Sequence, residues 1–260
     1  LGRLRRTPIY TWVLDIWPDS VLAYMSKPRG FISAPLKWFT NRVYRRSERI
    51  LISSPGFRKL VNRDGNYDSK IVDFPNWCED ILQMEHRPVK SLPEGFRIMM
   101  AGNLSDATGL EGVVEVIKRT KVNPRIKWIF VGGGNREQWL RNAIASNGLA
   151  ECCEVVGRHP FEDMPTYYNL ADVMFISLKA TQYQHLEQTI PARLQSYMAA
   201  GKPIIGMIGE GVATLIRSVD CGICVDAGDY EACVQSILDI ADNSARLELW
   251  GRNARRYYES

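Results

Sequence analysis

Short apolar runs rich in β-branched residues alternate along the chain with stretches of helical periodicity. Nine runs have the length and composition of strands, at residues 9–14, 50–53, 71–74, 97–101, 126–131, 153–156, 173–177, 204–207 and 222–225. Between them, apolar residues recur at helical spacing over residues 110–117, 139–144 and 234–241. Because alternating strands and helices form parallel sheets joined by crossover helices, the pattern predicts an α/β fold.

This rhythm breaks between residues 85 and 95, where Pro88 and Pro93 stand among mixed charges without periodicity. We interpret the stretch as a linker between two domains. Residues 96–242 that follow it are enough for a complete Rossmann-like domain. Residues 1–84 hold only three of the strands, which is too few for a doubly wound domain, so we expect the first domain to be truncated.

The composition is typical of a globular protein and narrows the chemistry that the chain can support. Of its 260 residues, 45% are hydrophobic and 24% are charged, and a net charge of +4 gives no signal for nucleic-acid binding. Six cysteines without disulfide-framework spacing suit a reducing cytosol. The lone Cys221–Cys224 pair and three histidines do not favour zinc, so we expect no metal. The chain starts without Met and ends inside a helical pattern, and we expect it to be a piece of a longer protein.

Residues 189–203 have the pattern of a complete helix with its own start and stop signals. Thr189 is a candidate N-cap, Pro191 suits the first turn, and Gly201 marks the end. The predicted apolar stripe consists of Ile190, Leu194, Tyr197 and Met198. Arg193 lies one turn into the helix, where a guanidinium beside a helix N-terminus suits an anion such as a diphosphate. The alternative is an ordinary buried helix.

Three loops follow predicted strands and are candidates for ligand contact. Residues 102–109 form a strand-to-helix loop with a glycine at each end, which suits a phosphate, although a simple turn is the alternative. Residues 132–134 are three glycines, but Glu137 stands where the dinucleotide fingerprint needs a glycine. Arg158 and His159 follow the next strand and suit the edge of a nucleotide base, or else are solvated loop residues.

Residues 26–49 form a separate, strongly basic segment. Against one acid, Glu48, it carries seven bases: Lys27, Arg29, Lys37, Arg42, Arg45, Arg46 and Arg49. Its interleaved apolar residues are Phe31, Leu36, Trp38, Phe39, Val43 and Tyr44. This pattern favours contact with an anionic membrane surface, and the alternative is a helix whose aromatic face packs on its own sheet.

Taken together, these motifs resemble the family-4 retaining glycosyltransferases, in the subgroup that builds bacterial capsule and O-antigen repeats, such as the L-fucosamine transferases. The landmarks lie at residues 12–20, 74–77, 101–103, 131–134, 171–173, 189–191, 197–203 and 209–211. The resemblance implies the GT-B fold, with two Rossmann-like domains, the donor in the C-terminal one, and a helix at 243–260 that returns toward the first domain. It also implies a nucleotide-sugar donor and no metal.

Two departures from the family pattern concern positive charge. The family carries an arginine and a lysine in the first glycine loop to hold the diphosphate, whereas the matching positions here are Asn103 and Thr108. We infer that Arg193 supplies the missing charge.

Other departures concern the family's acidic and catalytic positions. Two glutamates eight positions apart are replaced by Gln188 and Ser196, although Glu187 is adjacent. Glu187 suits sugar or ribose hydroxyls, or else is a capping charge. The family's active-site histidine is absent, and the matching strand end offers Asp15 as an acceptor-orienting group or base. Retention needs no protein nucleophile if an oxygen of the donor's diphosphate assists.

The expected site follows from the motifs and the resemblance together. The expected donor-binding residues are Gly102, Asn103, Thr108, Gly133, Arg158, Gln188, Thr189, Ile190, Pro191, Arg193, Ser196 and Glu210. The expected catalytic residues are Asp15 and Glu187. The implied partners are a UDP-sugar, an undecaprenyl-diphosphate-linked glycan acceptor and the inner face of the bacterial plasma membrane. A nucleotide-sugar epimerase of the same fold and a non-catalytic nucleotide-sugar-binding protein are the alternatives.

Overall fold

The computed structural model describes residues 7–23, 30–80, 83–179 and 184–260, and within these ranges it confirms the α/β prediction. The nine predicted strands are present with ends within about one residue of expectation. They are β1 Tyr10–Val13, β2 Arg49–Ile52, β3 Ile71–Asp73, β4 Phe96–Ala101, β5 Ile126–Val131, β6 Cys153–Gly157, β7 Val173–Ser177, β8 Ile204–Ile208 and β9 Gly222–Asp226. Every strand pairing described is parallel.

The helices fall between the strands, as crossover connections require, except the last two, which follow β9. They are α1 Asp19–Ala23, α2 Gly30–Arg46, α3 Phe57–Asn62, α4 Leu110–Thr120, α5 Glu137–Ser146, α6 Met164–Leu170, α7 Gln184–Glu187, α8 Ala192–Ala199, α9 Glu210–Val219, α10 Tyr230–Ile240 and α11 Ser244–Glu259. The three helices predicted from periodicity correspond to α4, α5 and α10. Residues 85–95 contain no helix or strand.

The chain divides into two compact units. The first comprises Leu1–Asn76 and Thr181–Ile190, and its sheet has the order β1-β2-β3. Ile50 and Ile52 of β2 are buried in its core together with Phe57 at the start of α3.

The second unit comprises Trp77–Ala180 and Pro191–Ser260, and its six strands have the order β6-β5-β4-β7-β8-β9. All residues of β7 and β8 are buried, which is why these strands appear in the sequence as unbroken apolar runs rather than alternating patterns. The core includes Trp128 and Phe175, whose rings meet edge to face at 4.9 Å.

The strand order of the second unit reverses direction between β4 and β7, and the sheet opens there. β4 pairs with β5 along its whole length but with β7 only at Ile98 and Met99. Beyond these pairs, the fully buried Tyr197 of α8 replaces a strand partner: its hydroxyl accepts from the Ala101 N–H at 3.0 Å and donates to the Ala101 carbonyl at 2.9 Å. Such a reversal leaves a crevice at the carboxyl ends of the strands, where open α/β sheets bind ligands.

Candidate functional site

A cavity of about 660 Å³ lies at this crevice, entirely within the second unit. We call it the glycine-loop cavity. Its walls are the backbone that follows β4 and β5, Arg158 and His159 after β6, and the first turns of α8 from Pro191 to Ser196. The three strand-edge loops predicted from sequence are therefore brought together at one edge of one sheet.

Two arginines give the glycine-loop cavity an uncompensated positive charge. Nη2 of Arg193 donates to the Asn103 carbonyl at 2.8 Å, whereas its Nη1 is buried without a hydrogen-bond partner among the described residues. Arg158 is exposed and has no hydrogen bond or ion pair in the described part of the chain. No aspartate or glutamate is among the described residues that line the cavity. This electrostatic setting favours an anionic ligand.

Both guanidinium groups lie against glycines, which leaves room beside them. A Cβ on Gly102 would stand 3.6 Å from Nε of Arg193. One on Gly133 would stand 3.7 Å from Nε of Arg158 and 3.0 Å from a carboxylate oxygen of Glu137, which pairs with Arg141. The arrangement therefore places a cation next to the bare backbone of each glycine loop.

The triple glycine of residues 132–134 serves mainly to bring two loops together. Gly132 has a φ of 130°, and a Cβ on it would stand 2.0 Å from the Gly102 carbonyl oxygen. A Cβ on Gly134 would stand 2.1 Å from the Leu104 carbonyl oxygen. Neither position tolerates a side chain, because the neighbouring loop occupies the space. Gly132 and Gly134 therefore allow one loop to approach the other, and Gly133 lines the cavity.

The start of α8 differs from the sequence prediction. Thr189 is not the N-cap, because its hydroxyl donates to the His185 carbonyl at 2.9 Å and the helix begins at Ala192. Pro191 takes the N-cap position with φ −64° and ψ 139°. A residue that precedes proline is kept out of the helical conformation, so Ile190 cannot be the first helical residue that an N-cap at Thr189 would require. Its end is as predicted, since Gly201 has a φ of 61° directly after the last turn.

Beside Arg158, the cavity wall combines a fixed imidazole with apolar surface. Nδ1 of His159 lies 3.1 Å from a carboxylate oxygen of Asp163, and its Nε2 lies 3.1 Å from the Tyr167 hydroxyl. Both ring nitrogens are therefore engaged, which holds the ring in place. Phe161, which lines the same wall, is 41% exposed and offers a face for an aromatic base.

Sequence reasoning missed several residues of the opposite wall. Trp77, Cys78 and Tyr168 line the cavity beside Ser196. Burial raises the pKa of the Cys78 thiol and of the Tyr168 hydroxyl. They are therefore neutral hydrogen-bonding groups at physiological pH. Trp77 and Cys78 lie in a stretch without periodicity; the landmark motif at 74–77 includes Trp77, and no sequence signal indicates Cys78.

Two of the expected donor-binding residues are not among the cavity-lining residues, although they belong to the second unit. Thr108 is buried, and its hydroxyl donates to the Ser105 carbonyl at 2.5 Å. Glu210 begins α9, where its carboxylate accepts from Thr214 and pairs with Arg217 at 3.2 Å. Both side chains have local partners, and their role in donor binding stays a prediction.

The remaining expected residues belong to the first unit. Asp15 is exposed and lines a separate cavity of about 290 Å³ beside β1 and α2. Glu187 ends the short helix α7, and the Gln188 carbonyl accepts from the Ser54 hydroxyl at 2.6 Å. Ile190 is buried, as the apolar stripe predicted.

No three His, Cys, Asp or Glu side chains among the described residues are grouped as metal ligands would be. None of the described helices is both long enough and apolar enough to span a membrane.

Comparison with known proteins gives consistent results. A protein-family model described as glycosyl transferases group 1 matches residues 83–257. The amylovoran biosynthesis glycosyltransferase AmsK of Erwinia amylovora is 27% identical over 156 residues, which cover 60% of this chain and 38% of AmsK. The chain thus spans well under half the length of this curated relative.

Solved structures share the fold. Anabaena Alr3699/HepE in complex with UDP superposes with a TM-score of 0.78 at 16% identity, covering 99% of this chain and 69% of HepE. WaaG, a glycosyltransferase involved in lipopolysaccharide biosynthesis, gives a TM-score of 0.71 at 13% identity, covering 97% and 71%. The expected GT-B fold is confirmed by these neighbours. The family model covers more than half of the residues of this chain, and the chain therefore belongs to the family of glycosyl transferases group 1.

Proposed function

We propose that this chain is the donor-binding part of a retaining glycosyltransferase that transfers a sugar from a UDP-sugar to a lipid-linked glycan during bacterial surface polysaccharide synthesis. The observation that carries the proposal is the pair of arginines without carboxylate partners beside two glycine loops. A diphosphate supplies the missing negative charge, and guanidinium groups suit its oxygens. The UDP bound to HepE and the polysaccharide named for AmsK support the choice of donor and pathway class.

The cavity suggests how a nucleoside diphosphate is held. Arg193, Gly102 and the first turn of α8 bind the diphosphate, because a helix N-terminus and a guanidinium both favour phosphate oxygens. Arg158 and the fixed ring of His159 border the uracil base. Ser196 and the neighbouring hydroxyl of Tyr168 offer hydrogen bonds to ribose. No cofactor or metal ion takes part in this scheme.

The proposed reaction needs no protein nucleophile. The bond between the sugar C1 and the diphosphate oxygen breaks, and the acceptor oxygen bonds to C1 on the same face. The acceptor proton passes to the leaving diphosphate oxygen, so atoms and charges balance. Positive charge at Arg193 and Arg158 stabilises the departing diphosphate. Asp15 stays our candidate for orienting the acceptor hydroxyl or acting as a base, and Glu187 our candidate for sugar or ribose hydroxyls.

We further propose that the basic segment holds the protein on the inner face of the plasma membrane. Residues 26–29 of this segment lie outside the described residues. In α2, however, Trp38 and Phe39 are 63% and 61% exposed, whereas Tyr44 is buried in the core of the first unit. The helix thus packs on its own sheet with one face and exposes aromatics and arginines on another. Each base near an anionic surface contributes about 1 kcal/mol.

Two experiments test the proposed function, first the binding of nucleotides and then the transfer of sugar from the donor. UDP should raise the melting temperature of the chain, adding about 2.7 kcal/mol of stability at 100 times its dissociation constant, whereas NAD should not. Stabilisation by NAD equal to that by UDP would refute the proposed ligand. A UDP-sugar panel with membrane-extracted acceptor then tests transfer by the full-length protein. Donor consumed without acceptor would indicate an epimerase, and binding without consumption would indicate a non-catalytic protein.

A further inference from the structure

The two glycine loops are fastened together outside the cavity by one arginine. Arg136, which precedes α5, bonds through Nη1 to Asp106 at 3.3 Å and through Nη2 to Glu111. Its guanidinium carbon lies 4.2 Å from the centre of the Trp139 ring. Nδ2 of Asn135 donates to the other carboxylate oxygen of Asp106 at 2.6 Å. We call these five residues the Arg136 clasp.

The Arg136 clasp differs from an ordinary surface ion pair in that its arginine is shielded from solvent and contacts several groups at once. The Arg136 side chain is only 21% exposed, although its partners Asp106 and Glu111 are 67% and 60% exposed. One guanidinium joins two carboxylates and stacks on an indole, so the planar group is held on several sides. The contacts join the loop after β5 to the loop after β4 and to the first turn of α4.

The backbone beneath the clasp continues this connection into the cavity. The Arg136 N–H donates to the Leu104 carbonyl at 3.1 Å, and the Leu104 N–H donates to the Gly133 carbonyl at 2.9 Å. Asn103 precedes Leu104, and its carbonyl accepts the Nη2 bond of Arg193. Any displacement of the loop after β4 therefore moves the acceptor that orients Arg193.

We infer that Arg136 is a positioning residue for diphosphate binding, although it does not line the cavity. By fixing the loop after β4, it sets the position of the Asn103 carbonyl and, through it, the direction of the Arg193 guanidinium. The inference rests on the proposed function, since it takes the diphosphate to be the ligand of Arg193.

Arg119 provides a matched control within the same unit. It also joins two carboxylates, those of Glu115 at 3.2 Å and Glu231 at 3.0 Å, and lies 5.9 Å from the Tyr230 ring centre. It has the same chemistry but does not contact either glycine loop. Arg119→Ala therefore reports what the loss of such a cluster does to stability alone.

The test compares the affinities for UDP and for uridine, which lacks the phosphates. Arg136→Ala and, independently, Asp106→Ala should weaken UDP binding by roughly fivefold or more, as expected when a contiguous network is broken. Uridine affinity should stay within about twofold, and Arg119→Ala should leave the ratio of the two affinities unchanged. An unchanged ratio in both clasp variants, with wild-type protein binding UDP, would overturn the inference and leave the proposed function intact.

Amide hydrogen exchange of the ligand-free protein tests the loop directly. Residues 102–109 should exchange faster in Arg136→Ala than in wild type, and no faster in Arg119→Ala. If the wild-type protein fails to bind UDP, the proposed function fails, and the exchange result still decides whether the clasp holds the loop. Unchanged exchange in both clasp variants would show that it does not.

Discussion

Replacing Arg193 with alanine should separate diphosphate binding from folding. Arg193 lines the cavity, and its guanidinium has no carboxylate partner among the described residues, so a diphosphate would be its first anionic partner. Hydrogen bonds to charged groups contribute about 1.5–3 kcal/mol. Arg193→Ala should therefore raise the dissociation constant of UDP by roughly 10- to 150-fold.

The same variant should leave the ligand-free protein almost as stable as wild type. It loses the bond from Nη2 to the Asn103 carbonyl, which contributes about 1 kcal/mol. It also removes a buried donor without a partner, which costs about 1–3 kcal/mol in wild type. Because the two effects have opposite signs, the free energy of unfolding in urea should stay within about 2 kcal/mol of the wild-type value.

Isothermal titration with UDP and with uridine distinguishes the possibilities. Uridine affinity should be unaffected by Arg193→Ala, because uridine has no phosphate. Arg217→Ala is the control, since Arg217 is half exposed and paired with Glu210 on α9. If Arg193→Ala weakens uridine and UDP equally, Arg193 acts by shaping the cavity, and the diphosphate assignment is incorrect.

Three further changes test the fold, a titrating group and the membrane face. Tyr197→Phe should destabilise the protein by about 1–3 kcal/mol in urea unfolding, because the buried N–H and carbonyl of Ala101 lose their partner; an unchanged unfolding free energy would contradict this. Burial lowers the pKa of His185 in the folded protein. As the pH drops below about 6.5, His185 therefore binds a proton in the unfolded chain before it does so in the folded chain, and the free energy of unfolding should fall. His185→Gln should flatten that part of the stability profile, and an equal slope in both proteins would exclude His185 as its source. Replacing Trp38 and Phe39 with alanine should weaken cosedimentation with anionic liposomes but keep its salt sensitivity, whereas no effect would show that the exposed aromatics do not insert.

The parts of the fold that could be predicted are those determined by local pattern. Buried parallel strands give unbroken apolar runs, so the strands such as β7 and β8 were located to within about a residue. The end of α8 was predictable because Gly201 supplies a left-handed residue after the last turn. Its start was not, since the N-cap preference of Thr189 competes with the conformational restriction that Pro191 imposes.

The parts of the site that escaped prediction depend on contacts between distant segments. Arg193 bonds to a carbonyl 90 positions away, and the Tyr197 hydroxyl bonds to backbone 96 positions away. Periodicity predicts that Tyr197 belongs to the apolar core, and its ring is indeed buried. Periodicity cannot predict the hydrogen bonds of its hydroxyl. Likewise, the sequence shows three consecutive glycines at 132–134, but only the structure shows that Gly132 and Gly134 accommodate a neighbouring loop.

The position of Arg193 also gives a physical reason for the serine at 196. Ser196 follows Arg193 by three residues on α8, and both line the glycine-loop cavity. Side chains at this spacing are neighbours on a helix and form ion pairs when their charges are opposite. A glutamate at 196, which the family pattern carries, would therefore bind the guanidinium and compete with a diphosphate. If Arg193 binds the diphosphate as proposed, a neutral residue at 196 leaves the guanidinium available to the phosphates, whereas an acid there would compete with them.

Ser196→Glu should accordingly weaken UDP binding by about tenfold, the equivalent of ~1.4 kcal/mol, and more at low than at high salt because the competition is electrostatic. Ser196→Gln is the matched control, since it has the same length without the charge. It should bind UDP nearly as well as wild type. Equal losses in the two variants would mean that bulk at 196 closes the cavity, and the charge of Arg193 would then need another explanation.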